Sequence, residues 1–203
     1  MNNKNNDFAE AIKKIKKDQK CNHCPCISIG TPGPQGPPGP QGPPGDTCSS
    51  GELILNGGME NVIDNQPTVW IFTNPEGVTS NDAQGRVHTG SYSVNIEDGS
   101  AIEQTIPVAE GGCFYILSFF ARGEGSQVGL TASVTFETTT GPVDGGTINI
   151  RQQDIPTATR EFSFYQLVTT VSPPNTTDIT IRFEVTADGG QSLDLDDVSL
   201  YAN

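Results

Sequence analysis

Glycine falls at every third position at Gly30, Gly33, Gly36, Gly39, Gly42 and Gly45. The positions between are filled largely by Pro32, Pro34, Pro37, Pro38, Pro40, Pro43 and Pro44, with Gln35 and Gln41. Three polyproline II strands can wind about one axis only where the residue facing that axis has no side chain, so a strict glycine period is what a triple helix demands. Residues 30–47 are therefore expected to form a collagen-like stalk and the chain to be a homotrimer; an extended single-chain linker is the rival reading. At roughly 3.1 Å per residue the rod would reach about 55 Å. That is the length of a spacer and trimer clamp, not of a fibre.

The repeat divides the chain into a tail at 1–29, a stalk at 30–47 and a head at 48–203. Charge divides with it. Residues 1–47 carry six lysines against four acids, whereas the rest carries five arginines against twenty acids. A head so acidic repels nucleic acid and anionic membrane and suits cations. Residues 1–20 hold charges but no apolar core of signal-peptide type, and no apolar run is long enough to span a membrane, so neither secretion by a signal peptide nor a membrane anchor is expected.

In the tail, Phe8, Ala11, Ile12 and Ile15 recur at helical spacing behind Asp7 as a cap, which suits a short amphipathic helix that needs partners. The bland alternative is a solvated basic tail. Cys21, Cys24 and Cys26 precede the repeat and Cys48 follows it. Cysteines at both ends of a short triple helix can link three chains or neighbouring molecules, and a short rod needs such a staple. Zinc binding by Cys21, His23 and Cys24 is the competing reading, but a second ligand pair at a set spacing is lacking. Cys113, inside the apolar run Cys113–Leu117, is expected to be a buried free thiol.

From Glu52 onward, short apolar segments alternate with Gly, Pro, Asn and Asp. Ten strands are expected: 52–56, 68–73, 92–97, 101–108, 113–121, 128–137, 147–151, 162–171, 178–185 and 192–201. Ile179, Ile181, Phe183 and Val185 alternate with Thr180, Arg182 and Glu184, as in a half-buried antiparallel strand. Such a pattern predicts an all-β head, a β-sandwich of jelly-roll topology. Catalytic patterns are wanting: His23 and His88 are the two histidines, and no nucleophile elbow, metalloprotease helix or phosphate loop occurs. The expected class is therefore not an enzyme.

Several segments carry a resemblance in the order they occur: Leu53–Glu60, Trp70, His88–Val94, Phe114–Gly123 and Leu195–Leu200. Together they resemble the jelly-roll carbohydrate-binding modules attached to bacterial glycoside hydrolases. The resemblance implies a structural calcium held by the carboxylates of Glu60 and Asp196, with main-chain carbonyls from around Gly58 and from the loop before Ser91. A hard cation in an irregular, carbonyl-rich shell fits that donor set. It also implies sugar rings stacked on exposed aromatic side chains, for which Tyr165 and Trp70 are the candidates, although Trp70 between Val69 and Ile71 also suits the core. The whole layout of tail, cysteine cluster, rod and sandwich head resembles the collagen-like surface proteins of spore-forming bacteria. That resemblance implies a structural trimer on the spore surface or exosporium, anchored to other surface proteins through its tail, with polysaccharide adhesion as the alternative role.

Overall fold

The computed structural model describes residues 48, 51–108, 111–157 and 161–203. The tail helix, Cys21, Cys24, Cys26 and the glycine repeat lie outside them. Among the described residues the strands are β1 (Val62–Ile63), β2 (Gln66–Pro67), β3 (Ile71–Thr73), β4 (Val78–Asn81), β5 (Ser93–Glu97) and β6 (Ala101–Pro107). They continue with β7 (Tyr115–Gly123), β8 (Val128–Thr138), β9 (Gly141–Ile150), β10 (Ser163–Val168), β11 (Thr176–Ala187) and β12 (Ser192–Ala202). Two five-stranded antiparallel sheets result, ordered β10-β7-β12-β5-β4 and β3-β6-β11-β8-β9, beside a small β1-β2 hairpin.

Alternation decides which side of each strand is buried. In β11, Ile179, Ile181, Phe183 and Val185 are fully buried while Thr180, Arg182 and Glu184 face outward. β8 does the same with Leu130, Ala132, Val134 and Phe136, and it pairs with β11 along nearly its whole length. Opposite them, β7 contributes Tyr115, Leu117 and Phe119, and β12 contributes Leu193, Leu195 and Leu200. Phe119 meets Phe183 edge to face at 5.0 Å across the two layers, one of the favoured aromatic geometries. The result is the expected all-β sandwich.

Several strand expectations change, among them the 147–151 strand, which starts at Gly141, and the unforeseen β1-β2 hairpin. Residues 52–56 make only a single bridge, Glu52 to Tyr201, because Leu55 and Asn56 turn away to bond elsewhere. The Leu55 N–H donates to Gln104 Oε1 at 2.9 Å, and the Asn56 side chain bonds the carbonyls of Asn61 and Thr68. β4 goes unforeseen, being four residues with one buried apolar side chain, Val78. The 162–171 strand stops at Val168, where the Thr169 N–H turns to Tyr115 and the Thr169 hydroxyl accepts the Tyr115 N–H at 2.8 Å.

Cys113 is buried but not free. It forms a disulfide with Cys48, 65 residues away in sequence, so Cys48 is committed within its own chain and not to a neighbour. The apolar setting of Cys113 suits a core thiol and a half-cystine equally, which is why the segment alone did not distinguish them. The bond fixes the entry of the head to the start of β7, beside the Glu52–Tyr201 bridge.

Candidate functional site

The outward face of the β10-β7-β12-β5-β4 sheet is read row by row from its register. At one end, Val168, Ile116 and Tyr201 lie side by side on β10, β7 and β12. The next row is Gln166, Ser118 and Ser199, and the third is Phe164, Phe120 and Asp196. Beyond it come Arg122, Asp194 and Asn95. The segment 82–92, between β4 and β5, folds over this last part.

The aromatic row grows outward from the sheet. Phe164 is 54% exposed, and its ring sits 5.3 Å from that of Phe120. The His88 ring stacks on Phe120 at 3.7 Å and approaches Phe162 at 5.4 Å. Four rings thus share one patch, bordered by the short polar side chains of the neighbouring row.

Beside the patch lies a buried ionic network. Asp194, with no exposed surface, receives Arg86 Nε and Nη2 at 2.9 Å each, Arg122 Nη1 at 2.8 Å and Asn95 Nδ2 at 3.0 Å. Arg86 also reaches Glu124 at 3.2 Å, and the Ser192 hydroxyl donates to the other Glu124 oxygen at 2.6 Å. Burial alone would lower the pKa of Arg86, but its bond to Asp194 and the surrounding carboxylate charge outweigh that and raise it. A buried carboxylate with this many charge-assisted donors is a rigid post. It clamps the 82–92 segment onto the sheet.

The expected calcium residues come to the same corner. Glu60 accepts N–H bonds from Ser91 at 2.9 Å and Tyr92 at 3.0 Å. Asp196 accepts from the N–H groups of His88 at 2.9 Å and Thr89 at 3.2 Å on one oxygen, and from Asp197 at 2.8 Å on the other. Burial, with some help from the Asp197 charge, pushes the Asp196 carboxyl up to about 6 despite those bonds. Asp197 turns outward at the bulge in β12, with φ of 48°, and holds His88 Nδ1 at 2.6 Å and the Thr89 hydroxyl at 2.8 Å. Gly58 lies against this pair: a β-carbon there would stand 3.7 Å from Asp197 Oδ1 and 3.8 Å from Glu60 Cγ. Gly90 has φ of 70°, and a β-carbon on it would come within 2.3 Å of Glu60 Oε1, so only glycine lets the loop close on Glu60. Among the described residues, no group of three or more His, Cys, Asp or Glu side chains is arranged to hold a metal ion. A cation here would draw on two or three carboxylate oxygens and otherwise on carbonyls.

The two aromatic residues expected as sugar platforms lie elsewhere. Trp70 is 5% exposed, packs on Phe183 and donates its indole N–H to the Asn56 carbonyl at 3.2 Å. A buried indole cannot stack a ligand, so it belongs to the core. Tyr165 points inward from β10, stacks on Phe119 at 5.6 Å and donates its hydroxyl to the Asp154 carbonyl at 2.9 Å. Its neighbour Phe164 is the ring that faces out. Weighing Trp and Tyr alone passes over it, and the run Phe164-Tyr165 puts a ring on each face, so alternation could not say which is exposed.

The outward face of the other sheet differs in kind. Thr73, Thr105, Thr131, Ser133, Thr135 and Thr180 line it with short hydroxyls. A shallow open groove at its edge is bordered by Thr131, Asn149, Arg151, Gln152 and Thr186, with no aromatic ring.

No family model and no curated protein matches this sequence. Solved structures do match the fold. TmCBM61 in complex with β-1,4-galactotriose superposes with a TM-score of 0.60 at 18% identity, over 76% of this chain and 100% of that one. The CBM22-1 xylan-binding domain of Paenibacillus barcinonensis Xyn10C gives 0.51 at 11% identity, over 76% and 96%. A cyclase from Fischerella sp. TAU gives 0.56 at 16%, over 76% and 98%. The head therefore has the jelly-roll fold of carbohydrate-binding modules, a fold that an enzyme also uses.

Proposed function

We propose that the head is a polysaccharide-binding module and that its ligand face is the outward side of the β10-β7-β12-β5-β4 sheet. The observation that carries this reading is the half-exposed Phe164 ring backed by Phe120 and His88, next to Gln166, Ser118 and Ser199. The apolar face of a sugar ring packs on such an aromatic surface while amides and hydroxyls orient its hydroxyl groups. Two structural neighbours were solved as a galactotriose complex and as a xylan-binding domain, which supports the class of ligand. Joined by the glycine repeat into a trimer at a cell or spore surface, weak heads would act together on a repeated polymer.

The test is affinity electrophoresis of the full chain in gels containing soluble polysaccharides, β-1,4-galactan and xylan among them. Retardation in at least one gel is expected. Phe164→Ala and Gln166→Ala should abolish it, and Ile71→Ala, an exposed change on the other sheet, should not. A full chain that runs freely in every gel would overturn the reading. It would leave the structural-trimer role, which the hydroxyl-lined second face favours.

We propose further that a calcium ion ties Glu60, Asp196 and the carbonyl of Gly58 to the 88–92 loop. The donors are hard oxygens, and two neighbouring carboxylates, one of them fully buried, gain from a nearby cation. Its role would be structural: it would hold the His88 side of the aromatic patch. Adding calcium to chelator-treated protein should raise the melting temperature by several degrees, and Glu60→Gln should remove that gain. An unchanged melting curve in calcium speaks against the site.

A further inference from the structure

The row of Val168, Ile116 and Tyr201 has no role in the proposed sugar site, yet it leaves apolar surface in water. Val168 is 56% exposed, Tyr201 is 46% exposed, and Val171 just beyond is 60% exposed. Register places the first three directly beside one another on adjacent strands, so the apolar surface is continuous. Ser118 and the polar row separate it from the aromatic patch. Three features mark it out from the other exposed apolar residues. Cys48 is bonded to Cys113, three residues before Ile116. Glu52 bridges to Tyr201 itself. And the N–H of Ser172, next to Val171, donates to the Cys113 carbonyl at 2.7 Å. The chain thus enters the head against this row, and the residue before Cys48 is the last of the glycine-repeat segment.

We infer that this row is a contact surface for a second copy of the same chain, closing the heads on one another where they leave the stalk. The inference rests on the reading that residues 30–47 join copies. Chains joined there are delivered covalently to within a few residues of the row, at an effective concentration far above that in free solution. Under those conditions a small apolar surface suffices, because the stalk has already met most of the entropic cost of association. The polar second sheet offers no comparable surface. Leu55, Val69 and Ile71 are exposed too, but Ile71 lies on β3 of the other sheet and the Leu55 main chain is bonded to Gln104 of β6.

The test combines sedimentation equilibrium with hydroxyl-radical footprinting on the full chain, comparing the natural sequence with Val168→Glu and Ile71→Glu. The natural chain and Ile71→Glu should be trimeric, with Tyr201 oxidised severalfold more slowly than in Val168→Glu. Phe164 should be oxidised at the same rate in all three. Val168→Thr, nearly isosteric, supplies the comparison if the charge disturbs folding, which faster oxidation of buried Tyr115 would reveal. A trimer in which Tyr201 is oxidised as fast as in Val168→Glu would overturn the contact and leave the stalk reading intact. A monomeric natural chain would overturn both.

Discussion

Asp196 concentrates the electrostatics of the head in one side chain. It is fully buried, its carboxyl is pushed up to about 6 chiefly by that burial, and Asp197 adds a like charge beside it. A folded-state pKa above the unfolded value means that folding favours the protonated acid. The associated stability is complete below about pH 4 and is lost as pH rises through about 6. The rise from the ordinary carboxylate range to about 6 corresponds to about 3 kcal/mol. In chelator, urea unfolding of the natural chain should therefore lose about that much relative to Asp196→Asn between about pH 4 and pH 7. With calcium the difference should shrink, because a cation favours the charged form. Equal pH profiles for the two proteins in chelator would mean that the three main-chain N–H bonds already offset the burial. Much of this corner was legible in the sequence: the segments containing Glu60 and Asp196 resemble the ends that meet in carbohydrate-binding modules. The outward turn of Asp197 onto His88 and Thr89 was not legible, because the bulge there breaks the two-residue alternation. Arg86, Arg122 and Asp194 were likewise hidden. Three single charged residues far apart in sequence become a network only through β7, β12 and the overlying loop.

At the scale of elements, long strands declare themselves and short ones do not. β8 and β11 each carry at least three inward apolar residues at alternate positions, β12 carries Leu193 and Leu195 before its bulge and Val198 and Leu200 after it, and the limits of all three were nearly right. β4 has too few residues for any period to show, and β3 keeps only Ile71–Thr73 of the expected 68–73. Cys48–Cys113 joins the segment before the first strand to the start of β7, closing a loop of 65 residues. A cross-link over a loop of that size limits the unfolded chain by up to about 4 kcal/mol. Cys113→Ser should thus lower the unfolding free energy by about 2–4 kcal/mol, read from urea titration. The same variant should leave sugar binding at Phe164 unchanged, since the patch lies at the other end of β7. If binding fell together with stability, the two ends of the sheet would have to be coupled. Sequence spacing could not have paired these cysteines: four others or none were equally available to Cys48 until the fold brought β7 alongside the chain entry.

The two sheets of the head present different kinds of surface. One sheet presents mainly threonine and serine hydroxyls with the charged Glu103, Arg182 and Glu184; the other carries apolar residues at the end where the chain enters and aromatic rings farther along. Close to the entry lies the exposed apolar row proposed to meet other copies of the chain. Farther along, rings and amides remain free for a polymer. On the proposed reading valence would follow from the glycine repeat: three equivalent patches joined through residues 30–47 would gain affinity for a repeating ligand without any change at the individual site. That gain can be separated from intrinsic affinity by measuring the full chain against both an immobilised polysaccharide and a short oligosaccharide of the same repeat. Binding to the polymer should be tighter by about 10²–10⁴-fold, while the oligosaccharide, which reaches one head at a time, should report the weak single-site value. Interrupting the glycine period with Gly36→Ala and Gly39→Ala should collapse the polymer affinity toward that of the oligosaccharide and leave the oligosaccharide unaffected, because a triple helix admits only glycine at its axis. Polymer affinity that survives both substitutions would mean that the heads bind one by one, and the periodic glycines would then have some role other than holding three chains together.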